Sequence, residues 1–114
     1  MYTDGMSKRP ILMIFTLSLV LFGVIHAVPG FGDPDAYYHL AIAKQMAASE
    51  PVRDFGWLPF TTLADHYADQ HFLYHVALVP FLNVFGDFLG LKIATIVFAA
   101  LAMALFAWLL GVYG

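Results

Sequence analysis

Apolar residues run along this chain in long blocks, and the polar residues gather between the blocks. Residues 11–28 read ILMIFTLSLVLFGVIHAV, with no formal charge and polar side chains only at Thr16, Ser18 and His26. Eighteen helical residues rise about 27 Å, close to the hydrocarbon thickness of a bilayer. Residues 91–113 form a second strong block, charged only at Lys92, whose stem can snorkel to the interface. Between them, residues 71–86 form a shorter apolar run interrupted by Pro80. This pattern predicts an all-α integral membrane protein with about three transmembrane helices, at 11–28, at 71–86 with a kink at Pro80, and at 91–113. Re-entrant or interfacial placement of the short middle run is the alternative. Residues 83–91 are then expected as a tight turn, with Gly86, Asp87 and Gly90 as breakers.

Composition supports the same class. Only 11% of residues are charged, against about 25% in soluble domains, and the mean hydropathy is +0.78. The absence of cysteine excludes disulfides and thiolate metal sites. A net charge of −3 gives no basis for nucleic-acid binding. Lys8 and Arg9 precede the first block, which predicts a cytoplasmic N-terminus over residues 1–10. A cleaved signal peptide is a weaker fit, because Ile25 and Ala27 make a poor small-x-small cleavage pattern. Residues 29–70 then form an external loop at the outer face of the cell membrane.

That loop holds most of the polar chemistry. Pro29-Gly30-Phe31-Gly32 is a turn-rich exit from the first helix. Asp33 reads as an N-cap with Pro34 at the first helical position, predicting a juxtamembrane helix over about 34–48. Tyr37, Leu40, Ala41 and Lys44 share one side of it, and Tyr38, Ile42 and Met46 another, so it is expected to be amphipathic and to lie along the membrane surface. Glu50-Pro51 should end it. The segment 55–60, with Trp57, reads as an aromatic interfacial anchor.

Asp35 and His39 are four apart on the predicted helix, and so are His71 and His75 on the next. Asp65, His66 and Asp69 lie just before that second pair. Carboxylate and imidazole donors in this pattern suit a divalent cation. Helix capping explains Asp33 equally well, and the helix dipole explains Asp35. His71 and His75 also fit as interfacial residues, with His75 hydrogen-bonded inside a helix packing.

The order of elements, with Gly32-Asp33-Pro34-Asp35-Ala36-Tyr37-Tyr38-His39 after a single outward helix, resembles the start of the GT-C membrane glycosyltransferases. It is most similar to the catalytic subunit of archaeal and bacterial oligosaccharyltransferases. Asp69-Gln70-His71 resembles the stretch that enters the second helix of that family. The resemblance runs over residues 8–113 and departs at Ala41, where many relatives carry arginine.

The resemblance implies transfer of a sugar or glycan from a polyprenyl-phosphate or pyrophosphate carrier to a protein or glycan acceptor at the outer membrane face. It casts Asp35 as the catalytic carboxylate. Asp35 and Asp33 would hold Mg²⁺ or Mn²⁺, and Tyr38, His39 and His71 would contact substrate. It further implies that the chain is the N-terminal part of such an enzyme, inactive alone, because the family's second acidic motif and soluble domain have no counterpart here. Two other functions fit the pattern. One is a small non-catalytic membrane assembly protein that docks through its alanine-rich third helix. The other is part of a metal or proton transporter using His26, His39, His71 and His75.

Overall fold

The computed structural model of the chain describes residues 8–48, 52–56 and 58–113. Glu50, Pro51 and Trp57, expected to end a helix and to anchor the loop, lie outside the described residues. The described residues hold four α-helices and no strand: α1 (Lys8–Ile25), α2 (Asp35–Ala48), α3 (Phe72–Phe85) and α4 (Asp87–Tyr113), with a short 3₁₀ turn at Thr62–Ala64. The chain divides into two compact units, residues 1–29 with 92–114, and residues 30–91.

The first unit contains α1 and most of α4. Pro10 sits in the first turn of α1, where a missing N–H costs nothing. Thr16 Oγ1 donates to the Leu12 carbonyl, which keeps that hydroxyl satisfied within its own helix. The Lys92 ammonium donates to the Val28 carbonyl just past α1. Both helices are long and apolar enough to cross a membrane. Only 6% and 17% of their apolar stretches are buried. Leu12, Leu17, Val20 and Val24 of α1, and Leu105, Phe106 and Leu110 of α4, are each more than half exposed. Exposed apolar surface of this kind has to be covered by lipid or by other protein. The buried positions of α4 in this unit are Ala94, Ala100 and Ala104, small side chains that permit close approach.

The second unit is built on the packing of α2 against α3. Asp33 Oδ1 accepts from the Asp35 amide at 2.9 Å, and the Asp33 carbonyl accepts from the Ala36 amide. Asp33 is therefore a working N-cap with Pro34 following it, which fixes where α2 begins. The buried positions of α2 are Leu40, Ile42 and Ala43. This differs from the expected amphipathic pattern. Ala41 and Lys44 are exposed, and neither expected stripe is the one that packs. The reason lies in α3. Its Leu78, Leu82 and fully buried His75 meet α2 along the side that carries Leu40, Ala43 and the half-buried His39.

The loop between these helices is tied down by its backbone. The Phe55 amide donates to Leu63 O and the Tyr67 amide to Arg53 O. Phe55 is buried, with its ring 4.6 Å from that of Tyr67. Phe31, Tyr37 and Phe88 form an aromatic cluster at the start of α2, with centroids 5.0 to 6.3 Å apart. Lys44 pairs with Asp87, but both side chains are about half exposed, so the pair adds little stability.

Residues 83–91, expected as a turn, are mostly helical. The break narrows to Gly86, whose φ of +80° ends α3. Pro80 is accommodated inside α3. At Gly90, a Cβ would stand 2.6 Å from Phe81 O and 2.9 Å from Leu82 Cα. That glycine is what lets the first turn of α4 rest on the end of α3. Gly90→Ala is therefore expected to destabilise the protein by about 1–3 kcal/mol, the cost of overpacking at a backbone contact. Thermal unfolding in detergent checks this, with Gly32→Ala, where the added methyl meets nothing, as the control.

Candidate functional site

The second unit brings the polar residues of α2, α3 and the intervening loop into one connected cluster. His75 lies at its centre with 0% of its surface exposed. Its Nδ1 is 2.6 Å from Asp69 Oδ2, and its Nε2 is 2.8 Å from His39 Nδ1. A carboxylate, a buried imidazole and a second imidazole are thus joined in a line running from the α3 entry to the middle of α2. No buried side-chain nitrogen or oxygen among the described residues lacks a partner.

Local sequence explains how each member is held. Asp69 precedes α3 by three residues, and its Oδ1 accepts from the His71 amide at 2.9 Å, an Asx turn that leads into the helix. This leaves Oδ2 for His75, one turn further along. His39 sits on the packing side of α2, one turn after Asp35. The Tyr67 hydroxyl bonds to Asp69 and to the Tyr38 hydroxyl, adding a second branch to the cluster. The His39 ring is 5.1 Å from both the His71 and the Tyr74 rings, edge-on to each.

The electrostatics follow from these contacts. For Asp69, burial favours protonation, but hydrogen bonds from His75, the His71 amide and Tyr67, with the electrostatic pull of the His75 ring, outweigh it. The carboxyl is held below the usual range and is ionised at neutral pH. Burial lowers His39, and the neighbouring His75 and His71 push it down further, while Asp35 and Asp33 pull the other way. The net direction is down, so His39 is neutral at pH 7. Burial and the bonds to Tyr38 and Asp69 raise Tyr67 and keep its proton in place.

Of the residues expected from sequence, Tyr38, His39 and His71 come together. Tyr38 and His71 also line a cavity of about 300 Å³ with Phe55, Leu63 and Tyr67. Tyr38, Phe55 and Leu63 continue into a neighbouring, mostly apolar cavity of about 270 Å³ beside Ile42 and Leu58. Asp35 is exposed on the first turn of α2, outside both cavities. Asp33 is exposed as well, and one of its oxygens serves the cap.

Asp33 and Asp35 offer hard oxygen donors of the kind Mg²⁺ and Mn²⁺ take, but two carboxylates fall short of a ligand set. Among the described residues no group of three histidines or carboxylates is placed to hold a metal ion. The donor set fits the cation in kind and not in number.

Residues outside the expected site complete the cluster. His75 stands out in the sequence only as a helix-spaced donor and Asp69 as a carboxylate just before that helix, and Tyr67 carries no signal at all. The one readable signal is an aspartate two residues before His71 at a helix entry, which marks an Asx turn and fixes the direction of the carboxylate. Comparison with family models, with curated proteins and with solved structures returns no match.

Acid should loosen this cluster. His39 is lowered on folding, so below about pH 6.5 the unfolded chain binds a proton the native state resists. Stability is then lost as pH falls toward the folded value. Asp69 is also lowered, and its contribution is lost only further down, as pH drops through its depressed folded value. Unfolding midpoints measured from pH 8 to pH 4 should decline, and His39→Asn should flatten the part of the decline nearest pH 6.

Proposed function

We propose that this chain belongs to a membrane glycosyltransferase of the GT-C type. It moves a sugar or glycan from a polyprenyl-phosphate or pyrophosphate carrier to an acceptor at the outer face of the cell membrane. In this reading α1, α3 and α4 cross the bilayer, the N-terminus is cytoplasmic, and residues 29–70 are extracytoplasmic. At 14 residues α3 rises about 21 Å, so it crosses only where the bilayer thins or polar ends reach the headgroups.

The observation that carries the reading is the placement of Asp35. It is an exposed carboxylate on the first turn of α2, ten residues after the end of the apolar α1. One helical turn away stands His39, backed by His75 and Asp69. A lipid-carried sugar holds its reactive carbon at the membrane surface, because the polyprenyl tail stays in the hydrocarbon. A carboxylate just beyond a membrane helix meets it there. The cavity lined by Tyr38 and His71 supplies hydroxyl and imidazole groups for a phosphate or a sugar, and the adjoining apolar cavity suits a less polar group.

Within this reading Asp35 attracts the electron-poor sugar carbon or orients the acceptor, and Tyr38 and His71 bind and position. A divalent cation on Asp35 and Asp33 would need further ligands from outside the described residues, and would neutralise charge on the leaving phosphate when bound.

Asp35→Ala tests the assignment in membranes that carry the natural protein. Transfer from a polyprenyl-linked donor should fall by about 10²–10³-fold, the usual effect of removing one preorganised electrostatic group. Membrane insertion and the amount of protein should stay unchanged. Transfer at the wild-type rate would remove Asp35 from the chemistry.

A further inference from the structure

The line Asp69–His75–His39 has a polarity that its partners dictate. Asp69 is ionised and can only accept, so His75 must donate from Nδ1. A single proton on each ring leaves His75 Nε2 as the acceptor of the second bond. His39 must supply the proton of that bond from its own Nδ1. A neutral imidazole has one N–H, so His39 Nε2 is left bare. With one proton on each ring, no other distribution satisfies both bonds. The buried carboxylate therefore reaches through two imidazoles and sets the outer nitrogen of His39 as a hydrogen-bond acceptor and base.

We propose that His39 Nε2 is the proton acceptor for a hydroxyl group, and that the acceptor substrate is a carbohydrate hydroxyl rather than a peptide carboxamide. This rests on the glycosyltransferase reading given above. The acceptor oxygen attacks the anomeric carbon with a free lone pair, forming the new C–O bond. The bond from that carbon to the carrier phosphate breaks, and its electron pair leaves with the phosphate. The hydroxyl proton, made acidic as the new bond forms, passes to His39 Nε2. The resulting imidazolium is stabilised through His75 by Asp69, as a buried carboxylate stabilises a histidine that gains charge in a reaction.

A carboxamide fits this base poorly. Its nitrogen lone pair is delocalised into the carbonyl, so the amide must be twisted or deprotonated before it attacks. A single neutral imidazole cannot do either.

The groups that face His39 agree with the role. His75 and Tyr74 meet it from α3 and His71 from the residue before that helix, while Tyr38, Asp35 and Asp33 act on it from its own helix and that helix's start. Its neutral state at pH 7 keeps the lone pair available, and the ring as a whole is only part-buried.

Asp69→Asn offers a sharp test because it should reverse the chain. The His71 amide needs an acceptor, so the carboxamide oxygen introduced by the substitution would take the place of Oδ1, and the carboxamide NH₂ would face His75. His75 Nδ1 would then accept, Nε2 would donate to His39 Nδ1, and His39 Nε2 would carry the proton. Nitrogen-15 NMR of the histidine rings, with the natural chain in lipid nanodiscs at pH 8, reads this directly. The expected result is a protonated Nδ1 and bare Nε2 on His39 in the wild type, and the opposite tautomer in Asp69→Asn. A wild-type His39 protonated at Nε2, or a tautomer that ignores Asp69→Asn, overturns the wiring.

The chemical half is read in membranes that carry the natural protein, with a polyprenyl-diphosphate-linked sugar as donor and with either a methyl glycoside or an asparagine-containing peptide as acceptor. Transfer to the glycoside is expected. It should drop at least about a hundredfold in both His39→Asn and Asp69→Asn, the usual share of a general base. In His39→Asn the carboxamide can still donate toward His75, so the helix packing is kept. In the wild type kcat should fall on the acid side with a single protonation. Both variants should lose that acid limb, which a structural role for His39 would not predict. Transfer to the peptide alone, or glycoside transfer that survives His39→Asn, overturns the base assignment while leaving the glycosyltransferase reading intact. No transfer to either acceptor overturns that reading and the hydroxyl assignment with it, and the NMR result still judges the wiring.

Discussion

The pairing of α2 with α3 depends on one buried imidazole. His75 has no exposed surface, so both of its nitrogens must find partners inside the protein. They do so on two different elements: Asp69 in the loop before α3 and His39 on α2. The apolar contacts of Leu40, Ala43, Leu78 and Leu82 supply non-directional attraction. They would tolerate a slide or a rotation of one helix against the other. The two hydrogen bonds would not, because either movement strands a buried polar atom at a cost of about 1–3 kcal/mol. Register and rotation of α2 on α3 are therefore set by the polar pair, and the loop is fixed because Asp69 belongs to it.

This constraint explains why the local order around the cluster is so complete. Asp69 gives one oxygen to the His71 amide and the other to His75, so the helix entry and the packing contact share a single side chain. Tyr67 closes onto the same carboxylate, and its backbone is tied to Arg53. The start of α2 is fixed separately, by Asp33 and Pro34. Asp35 and His39 are then one rigid helical turn apart. The proposed carboxylate and base can cooperate only if such spacing is held, and here a regular helix holds it.

Where sequence reasoning worked, the signal was local. Asp33-Pro34 announces a helix start, and Asp33 Oδ1 accepts the amide two residues on. Gly86 announces a break, and the chain turns there with a positive φ. The apolar blocks announce long helices, and α1 and α4 are long, apolar and largely unburied. What was not legible depends on contacts between elements. The side of α2 that packs is chosen by His75, a residue 36 positions from its partner His39, and alternation within α2 carries no trace of that choice. Ala41 and Lys44 sit among the apolar positions of one plausible stripe yet are exposed. Tyr67 is a tyrosine in an irregular loop, and only its meeting with Asp69 and Tyr38 gives it a role. Gly90 reads as a helix breaker, and its true significance is the 2.6 Å approach that a Cβ would make to Phe81 O.

The central claim is that Asp69 and His39 act on each other through His75 although they share no direct bond. A double-mutant cycle measures this most directly. The unfolding free energies of the wild type, Asp69→Asn, His39→Asn and the double variant would be compared at pH 8. Residues joined in one buried network couple by about 0.5–3 kcal/mol, and independent ones add within about 0.3–0.5 kcal/mol. The relay predicts coupling in the first range, abolished when the cycle is repeated in a His75→Leu background. Additive effects of Asp69→Asn and His39→Asn with His75 in place would contradict it.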